Sequence, residues 1–320
     1  MAKEEPKIVM GKSSSYKQKE EKAVEQTKDN ERQNRFMSMF GGRTQNQMMQ
    51  AASNSNKKLI TFVSSKSGAG ASTIAFNTAV DLANQNYNVL YLEYNYHSPA
   101  TTFWYNVGYS SKGIDTALEG LKNSSLVEIE DAVIRMRDLR KKKLEGNPYK
   151  LFPDSLNMLY FSRDFIVNYP ERVKTFDESF TREFFLYLIF QSEYDFIILD
   201  MQLQHISNEA MYQALFLSQK IYLVTLPDIA YVGYATFHID EWAQKSILLN
   251  NRLEIVVNRF EQTKLTTDYL KDWLNTDRLL LFPEATKQVI EANYQGVPII
   301  TTGKKNPFKN SIGQIVNQLK

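Results

Sequence analysis

From Lys58 onward, short apolar runs alternate with stretches of helical periodicity, and few architectures accommodate that order. Leu59–Ile60–Thr61–Phe62–Val63 is the first run and Val89–Leu90–Tyr91–Leu92 the second. Others lie at 156–161, 196–199, 221–225, 253–257 and 279–281. Each has the length of a strand and is nearly continuous in apolar residues, which is the pattern of a strand covered on both faces. Between the first two, Ile74, Ala75, Ala79, Leu82 and Ala83 share one helical face. Further helices are expected around 178–190, 206–217, 229–249, 264–275 and 284–294. The alternation predicts an α/β fold in three layers, a mostly parallel twisted sheet with helices on both faces.

Residues 1–57 read differently. They are rich in Lys, Glu, Gln, Ser and Asn and poor in large apolar groups. Such a segment buries too little surface to offset the entropy of ordering it. The expected organisation is a disordered polar tail over 1–57 and one domain over 58–320. Within the tail, residues 35–49 carry Phe36, Met37, Met39, Phe40, Met48 and Met49. Phe and Met in a polar tail suit docking into a partner's groove; a linker with a few apolar residues is the plainer alternative.

Composition excludes several classes. With no cysteine, a disulfide framework and a thiolate metal site are ruled out, and a reducing compartment fits. Met1–Ala2–Lys3–Glu4–Glu5–Pro6 has no apolar run behind its charges, so no secretory signal is expected. No apolar run approaches the ~20 residues of a membrane span. A cytoplasmic protein is therefore expected. The net charge of +2 points to neither nucleic acid nor membrane, and His97, His205 and His238 lie too far apart for metal-ligand spacing. One basic run, Arg135 to Lys143, falls in an expected helix. It reads as a solvated helix end or as a contact for an acidic partner or DNA.

The stretch richest in chemistry is Ser64–Ser65–Lys66–Ser67–Gly68–Ala69–Gly70–Ala71–Ser72–Thr73. It follows the first strand and opens the first helix, the place for a phosphate loop. Gly68 and Gly70 permit backbone conformations that turn amide N–H groups inward. The helix N-terminus adds positive dipole for an anion. Ser72 or Thr73 would place a hydroxyl near a phosphate-bound Mg²⁺. A plain tight turn is the alternative.

With these residues the sequence resembles the MinD/ParA family of deviant Walker P-loop ATPases, whose loop reads roughly Lys-Gly-Gly-x-Gly-Lys-Thr-Thr. Lys66 matches the early signature lysine, Gly68 and Gly70 the glycines, and Ser72 and Thr73 the Thr pair, while Ala71 falls on the second lysine. A small residue before a Ser/Thr pair is similar to the atypical CpaE/TadZ branch, tied to pilus assembly and polar localisation. Val89 to Asn95 looks like the strand ending in Asp-x-Asp, with Glu93 and Asn95 in place of the acids. Tyr194 to Asp200 looks like the Walker B strand, with Asp200 as the Mg²⁺-associated acid. Ile255 to Arg259 resembles the strand whose Asn, here Asn258, reads adenine, and Leu281–Phe282–Pro283 the next strand end, near the base. The resemblance spans about 58–320. It implies ATP with Mg²⁺ on Lys66, Ser67, Gly68, Ala69, Gly70, Ala71, Ser72, Thr73, Asn258 and Arg259, with Ser72 and Asp200 on the metal side.

The departures have physical consequences. A charge-assisted hydrogen bond contributes about 1.5–3 kcal/mol, so the lysine missing at 71 implies ATP binding weaker by roughly 10–100-fold. In the family's dimers the signature lysine reaches the partner's nucleotide, so Lys66 implies a homodimer. Asn95 stands where the family orients attacking water, and an amide is a poor proton acceptor. Hydrolysis is therefore expected to be slow or absent, with no confident catalytic residue. The leading expectation is a nucleotide-responsive localisation or assembly scaffold of a larger machine, such as a pilus or secretion apparatus, with protein partners that recruit it to membrane or pole. Two alternatives stand: an active partitioning or positioning ATPase, with weak DNA binding through 135–143, and an interaction protein without nucleotide. In the last segment Ile312, Ile315, Val316 and Leu319 share a face. A membrane helix needs a basic polar face, absent here, so this helix is expected to pack on the domain.

Overall fold

The computed structural model describes residues 58–320 apart from 108–109, 124–126, 142–146, 175–179, 204–207, 246, 248, 250, 262–264 and 304–305, together with Gln47, Ala51 and Ser55. The tail expected over 1–57, with its 35–49 segment, otherwise lies outside the described residues.

The strands are β1 (Lys58–Ser64), β2 (Val89–Tyr94), β3 (Ile134–Arg135), β4 (Leu156–Leu159), β5 (Phe196–Met201), β6 (Lys220–Thr225), β7 (Leu253–Phe260) and β8 (Leu279–Pro283). They form an 8-stranded sheet in the order β3-β4-β2-β5-β1-β6-β7-β8. Every pairing is parallel except β3 with β4. The α/β architecture expected from the alternation is the one observed. The main helices are α1 (Ala71–Asn84), α2 (Ile114–Lys122), α3 (Thr181–Phe190), α4 (Asn208–Leu217), α5 (Ile229–Gln244), α6 (Thr267–Trp273), α7 (Thr286–Tyr294) and α8 (Pro307–Leu319).

The residues of the central strands β2 and β5, and nearly all of those of β1 and β6, are buried on one face or the other because helices cover both, while the outer strands β3 and β8 are half-buried. Leu59 and Val63 enter a core with α3, α4 and α5 through Phe184, Phe185, Ala214, Leu215, Val232 and Trp242. Ile60 and Phe62 enter the opposite core with α1 and α8 through Ile74, Phe76, Ala79, Ile312 and Val316. Phe62 stacks on Tyr222 of the neighbouring strand, ring centres 4.7 Å apart. Burial of one such side chain contributes about 1.5–3 kcal/mol, so the near-continuous apolar strands define the fold.

The basic run departs from expectation. It is not one helix: Arg135 belongs to β3, and a short helix, Met136–Arg140, follows. The cause is apolar. Val133 packs into one core and Met136 into the other, so the chain crosses the sheet edge between them. At the other end, α8 starts at Pro307, capped by the Asn306 side chain, which accepts from the Lys309 N–H. Phe308, Ile312, Ile315, Val316 and Leu319 are buried against α1 and β8, so the C-terminal helix packs on the domain. No helix among the described residues is long and apolar enough to cross a membrane.

With β1 between β5 and β6, the strand order reverses at the sheet centre. In open α/β sheets ligands bind in the crevice beyond the carboxyl ends of strands at such a point. Ser64, Tyr94, Asp200 and Asn258 all lie at or near those ends.

Candidate functional site

The loop from β1 to α1 is held by its neighbours. The Ser65 N–H donates to the Val224 carbonyl at 2.8 Å, and the Ser65 hydroxyl to Thr225 Oγ1 at 3.1 Å. Gly68 and Gly70 have φ of 88° and 97°, a region that side chains resist. Gly70 is constrained twice, because a Cβ there would stand 2.3 Å from Asn258 Nδ2. That amide donates to the Ala69 carbonyl at 2.8 Å, and its oxygen accepts from the Arg259 N–H at 3.0 Å. Asn258 therefore braces the loop, with both ends of its amide engaged. Arg259 itself has φ 54°, next to a break in the β7–β8 register.

The first turn of α1 has no side-chain cap. Its first N–H groups lack intrahelical partners and face a cavity of about 390 Å³ lined by Gly68, Gly70, Ala71, Ser72 and Thr73. Asn258 and Arg259 line it too, as do Trp104, Ala285, Val289 and Ile290, which sequence reasoning did not single out. Ala71 is buried, its methyl at the cavity wall.

Lys66 is elsewhere. Its ammonium lies over two rings of α5, 5.4 Å from the centre of Tyr231 and 5.5 Å from that of Tyr234. The Tyr231 hydroxyl donates to the Ser67 carbonyl at 3.0 Å. The loop's lysine is thus held on the outer flank by cation–π contact, not over the cavity.

Asp200, buried at the end of β5, accepts from the Tyr91 hydroxyl at 2.7 Å. Its other oxygen, Oδ1, is buried without a well-formed hydrogen bond. Desolvation first, and the nearby Glu93 carboxylate second, push its carboxyl up to about 7, against the pull of the Tyr91 and Ser72 hydroxyls. An orphaned carboxylate oxygen beside a serine hydroxyl is an oxygen donor set that fits Mg²⁺. No group of His, Asp and Glu among the described residues forms a protein-only metal site.

Glu93 is fully buried. Its oxygens accept from the N–H groups of Ala100 (2.6 Å), Thr101 (3.0 Å) and Thr102 (3.2 Å) and from the Thr102 hydroxyl (2.8 Å). It caps the short helix Thr101–Trp104, using the helix dipole and three otherwise orphaned donors. Desolvation raises its carboxyl from the ordinary range. Asn95 is also buried, and its amide closes on Ser98: Nδ2 donates to the Ser98 carbonyl at 2.7 Å, and Oδ1 accepts from the Ser98 N–H at 3.1 Å. Sequence reasoning placed both residues at this strand end but not their local partners. Tyr91 was hidden because an apolar strand masks a polar tip.

The basic run is partly neutralised. Arg135 pairs with Glu130 at 3.1 Å, Arg140 with Asp154 at 2.8 Å, and Arg137 lies 3.9 Å from Asp138. Lys142 and Lys143 lie outside the described residues.

No protein-family model and no curated protein matches the sequence. Solved structures do match. A ParA family ATPase from Chlorobium tepidum is 19% identical, with 83% of this chain and 100% of that chain aligned and a TM-score of 0.65. The septum site-determining protein MinD of Pyrococcus horikoshii, complexed with Mg-ADP, is 18% identical, with 82% and 96% aligned and a TM-score of 0.62. A plasmid partition protein of Borrelia burgdorferi bound to AMPPNP is 17% identical, with 82% and 100% aligned and a TM-score of 0.57. The sheet, its central loop and the helices on both faces are thus those of the MinD/ParA P-loop fold.

Proposed function

We propose that the chain binds ATP with Mg²⁺ weakly and acts as a localisation or assembly scaffold with slow or absent hydrolysis, in the manner of the CpaE/TadZ branch that its loop resembles. The observation that carries this is the cavity at the α1 N-terminus, bounded by left-handed Gly68 and Gly70 and floored by Ser72, Thr73 and Ala71. Phosphate oxygens would accept from the first N–H groups of α1, and Ser72 and Asp200 would be the residues to hold Mg²⁺. The metal supplies charge neutralisation on the phosphates.

Weak binding follows from cation supply. Ala71 offers none, and Lys66 is held on Tyr231 and Tyr234. Slow turnover follows from Asn95, whose amide is engaged with Ser98 and has no carboxylate to orient water. Nucleotide-bound structures of the same fold, MinD with Mg-ADP and a partition protein with AMPPNP, support the reading. A partner role has a parallel in the MinC:MinD complex of Aquifex aeolicus. The neutralised arginines weaken the case for a DNA-cycling ATPase.

The test is equilibrium titration of Mg-ATP and Mg-ADP with phosphate release followed on the same samples. Micromolar or weaker binding, lost in Ser72→Ala, with negligible phosphate release is the expected result. Release as fast as in ordinary members of the fold would overturn the scaffold reading, and no binding of either nucleotide would overturn both parts.

A further inference from the structure

We infer that a polar cavity at the opposite end of the sheet from the phosphate loop, lined by Tyr194, Arg135 and Arg137, takes a carboxylate of an acidic peptide segment on a partner protein. The cavity has a volume of about 520 Å³ and lies where β2, β4 and β5 begin, next to Asn88, Ser155 and Tyr194. The phosphate loop lies at the carboxyl ends, roughly 20 Å away along strands of this length. The inference therefore does not rest on the nucleotide reading. It gives the basic run that starts at Arg135 a role that the phosphate site leaves unassigned.

Tyr194 is the anchor. The residue is only 6% exposed and borders the cavity, yet its hydroxyl has no hydrogen-bond partner among the described residues. Burial first, and the Glu130 charge second, hold the phenol protonated above its ordinary range, so it stays a donor. A buried hydroxyl without an acceptor costs free energy, and a ligand oxygen would supply one. The charges of Arg135 and Arg137 both reach that hydroxyl. Arg135 gives one nitrogen to Glu130 at 3.1 Å and keeps further N–H donors, and Arg137 lies 3.9 Å from Asp138, too far for a hydrogen bond. Guanidinium forks match the geometry of a carboxylate.

Two of the cavity's own acids are already engaged. Glu130 accepts from Arg135 and from the Tyr187 hydroxyl at 3.3 Å, and Asp154 accepts from Arg140 at 2.8 Å. Glu193 remains, and it disfavours a densely charged ligand. A nucleic-acid backbone carries an unbroken line of phosphates, whereas a peptide can offer one carboxylate to a concave site. Past the short helix, Lys141 is exposed and gives a second acid of the same segment a cation outside the cavity.

The experiment follows the fluorescence anisotropy of a labelled hexaglutamate peptide titrated with the full chain, for wild type, Tyr194→Phe and Arg137→Gln. Free glutamate, a short DNA duplex and Mg-ATP serve as competitors. Tyr194→Phe, which removes one oxygen and keeps the ring in the core, is expected to lose about 10- to 150-fold in peptide affinity, the range of a hydrogen bond to a charged group. Arg137→Gln is expected to lose affinity in the same direction, and Mg-ATP not to compete. Tyr194→Phe should also melt at or above the wild-type temperature, since its hydroxyl serves no protein partner; a clearly lower value would overturn the anchor. Peptide binding that both substitutions leave unchanged would put the peptide on exposed lysines alone and overturn the cavity site. Displacement by the duplex, or by glutamate at equal concentration, would overturn the peptide reading in favour of nucleic acid or of a small carboxylate. No peptide binding at low salt overturns the inference outright and leaves the nucleotide site untouched.

Discussion

At Asp200 two demands collide. A carboxylate suited to a metal has been placed in a dry strand end beside a second buried carboxylate, Glu93. Four hydrogen bonds serve Glu93, whereas Asp200 has only the Tyr91 and Ser72 hydroxyls, the Ser72 contact too poorly formed to satisfy Oδ1. The proton therefore goes to Asp200. Its folded value of about 7 lies above the ordinary 3.8, so the sign is that of a raised acid. The stability it contributes is fully present below about 3.8, falls as the unfolded chain ionises, and is gone once pH passes about 7. Asp200→Asn removes this dependence. Relative to wild type, the variant is expected to gain stability at pH 8 over pH 5, by an amount on the order of a few kcal/mol at most, read as a higher melting temperature. Melting curves at both pH values check it; a difference that is flat in pH would show that Asp200 is ionised throughout. None of this was legible in the sequence. Asp200 could be placed at a strand end from Phe196–Ile197–Ile198–Leu199, but its proton is set by Tyr91 and Glu93 on the next strand, a register that only the folded sheet defines.

Elements were more legible than their couplings. Strands and helices of the domain fall close to where periodicity puts them, because apolar strands buried on both faces leave a strong one-dimensional signal. Between the second strand and 156 the reading departs: no helix was expected at α2, Ile114–Lys122, and Ile134–Arg135 is a strand too short to have a period, read through charges that dominate its surroundings. The phosphate loop was legible through its two glycines, yet the Asn258 brace that makes Gly70 indispensable is a contact across 188 positions of chain and leaves no local trace. Helix α8 shows how a face alone underdetermines its partner. Its apolar stripe suits a membrane or a core, and only the scarcity of basic residues favoured the core. Ile315 and Val316 are fully buried there. A charge at 315 has no partner, so Ile315→Asp is expected to lower stability by about 3 kcal/mol or more. Chemical denaturation measures this. Wild-type stability combined with loss of vesicle binding would instead make α8 a membrane element.

For the whole molecule, the decisive question is where Lys66 goes. It lies over Tyr231 and Tyr234, on the flank of the loop, and α5 also exposes Ile229 and Phe237. An exposed cation–π contact contributes about 0.5–1 kcal/mol. A charge-assisted bond to a phosphate contributes about 1.5–3 kcal/mol, so an accessible phosphate wins the lysine from the rings. The loop's own phosphate position is poorly placed to do so, since the side chain departs from the cavity. A second copy related by a two-fold axis would bring its nucleotide to Lys66, and each lysine would serve the other protomer. The expected outcome is a monomer that becomes a dimer on adding Mg-ATP, with Lys66→Ala remaining monomeric at the same nucleotide occupancy. Sedimentation velocity or light scattering with and without Mg-ATP reads this directly. Ala71→Lys should strengthen ATP binding without restoring fast turnover, because Asn95 stays bound to Ser98. A dimer that forms equally without nucleotide and survives Lys66→Ala would leave the lysine as a surface group resting on two tyrosines. The fold would then be that of a MinD-like switch whose two states no longer differ in assembly.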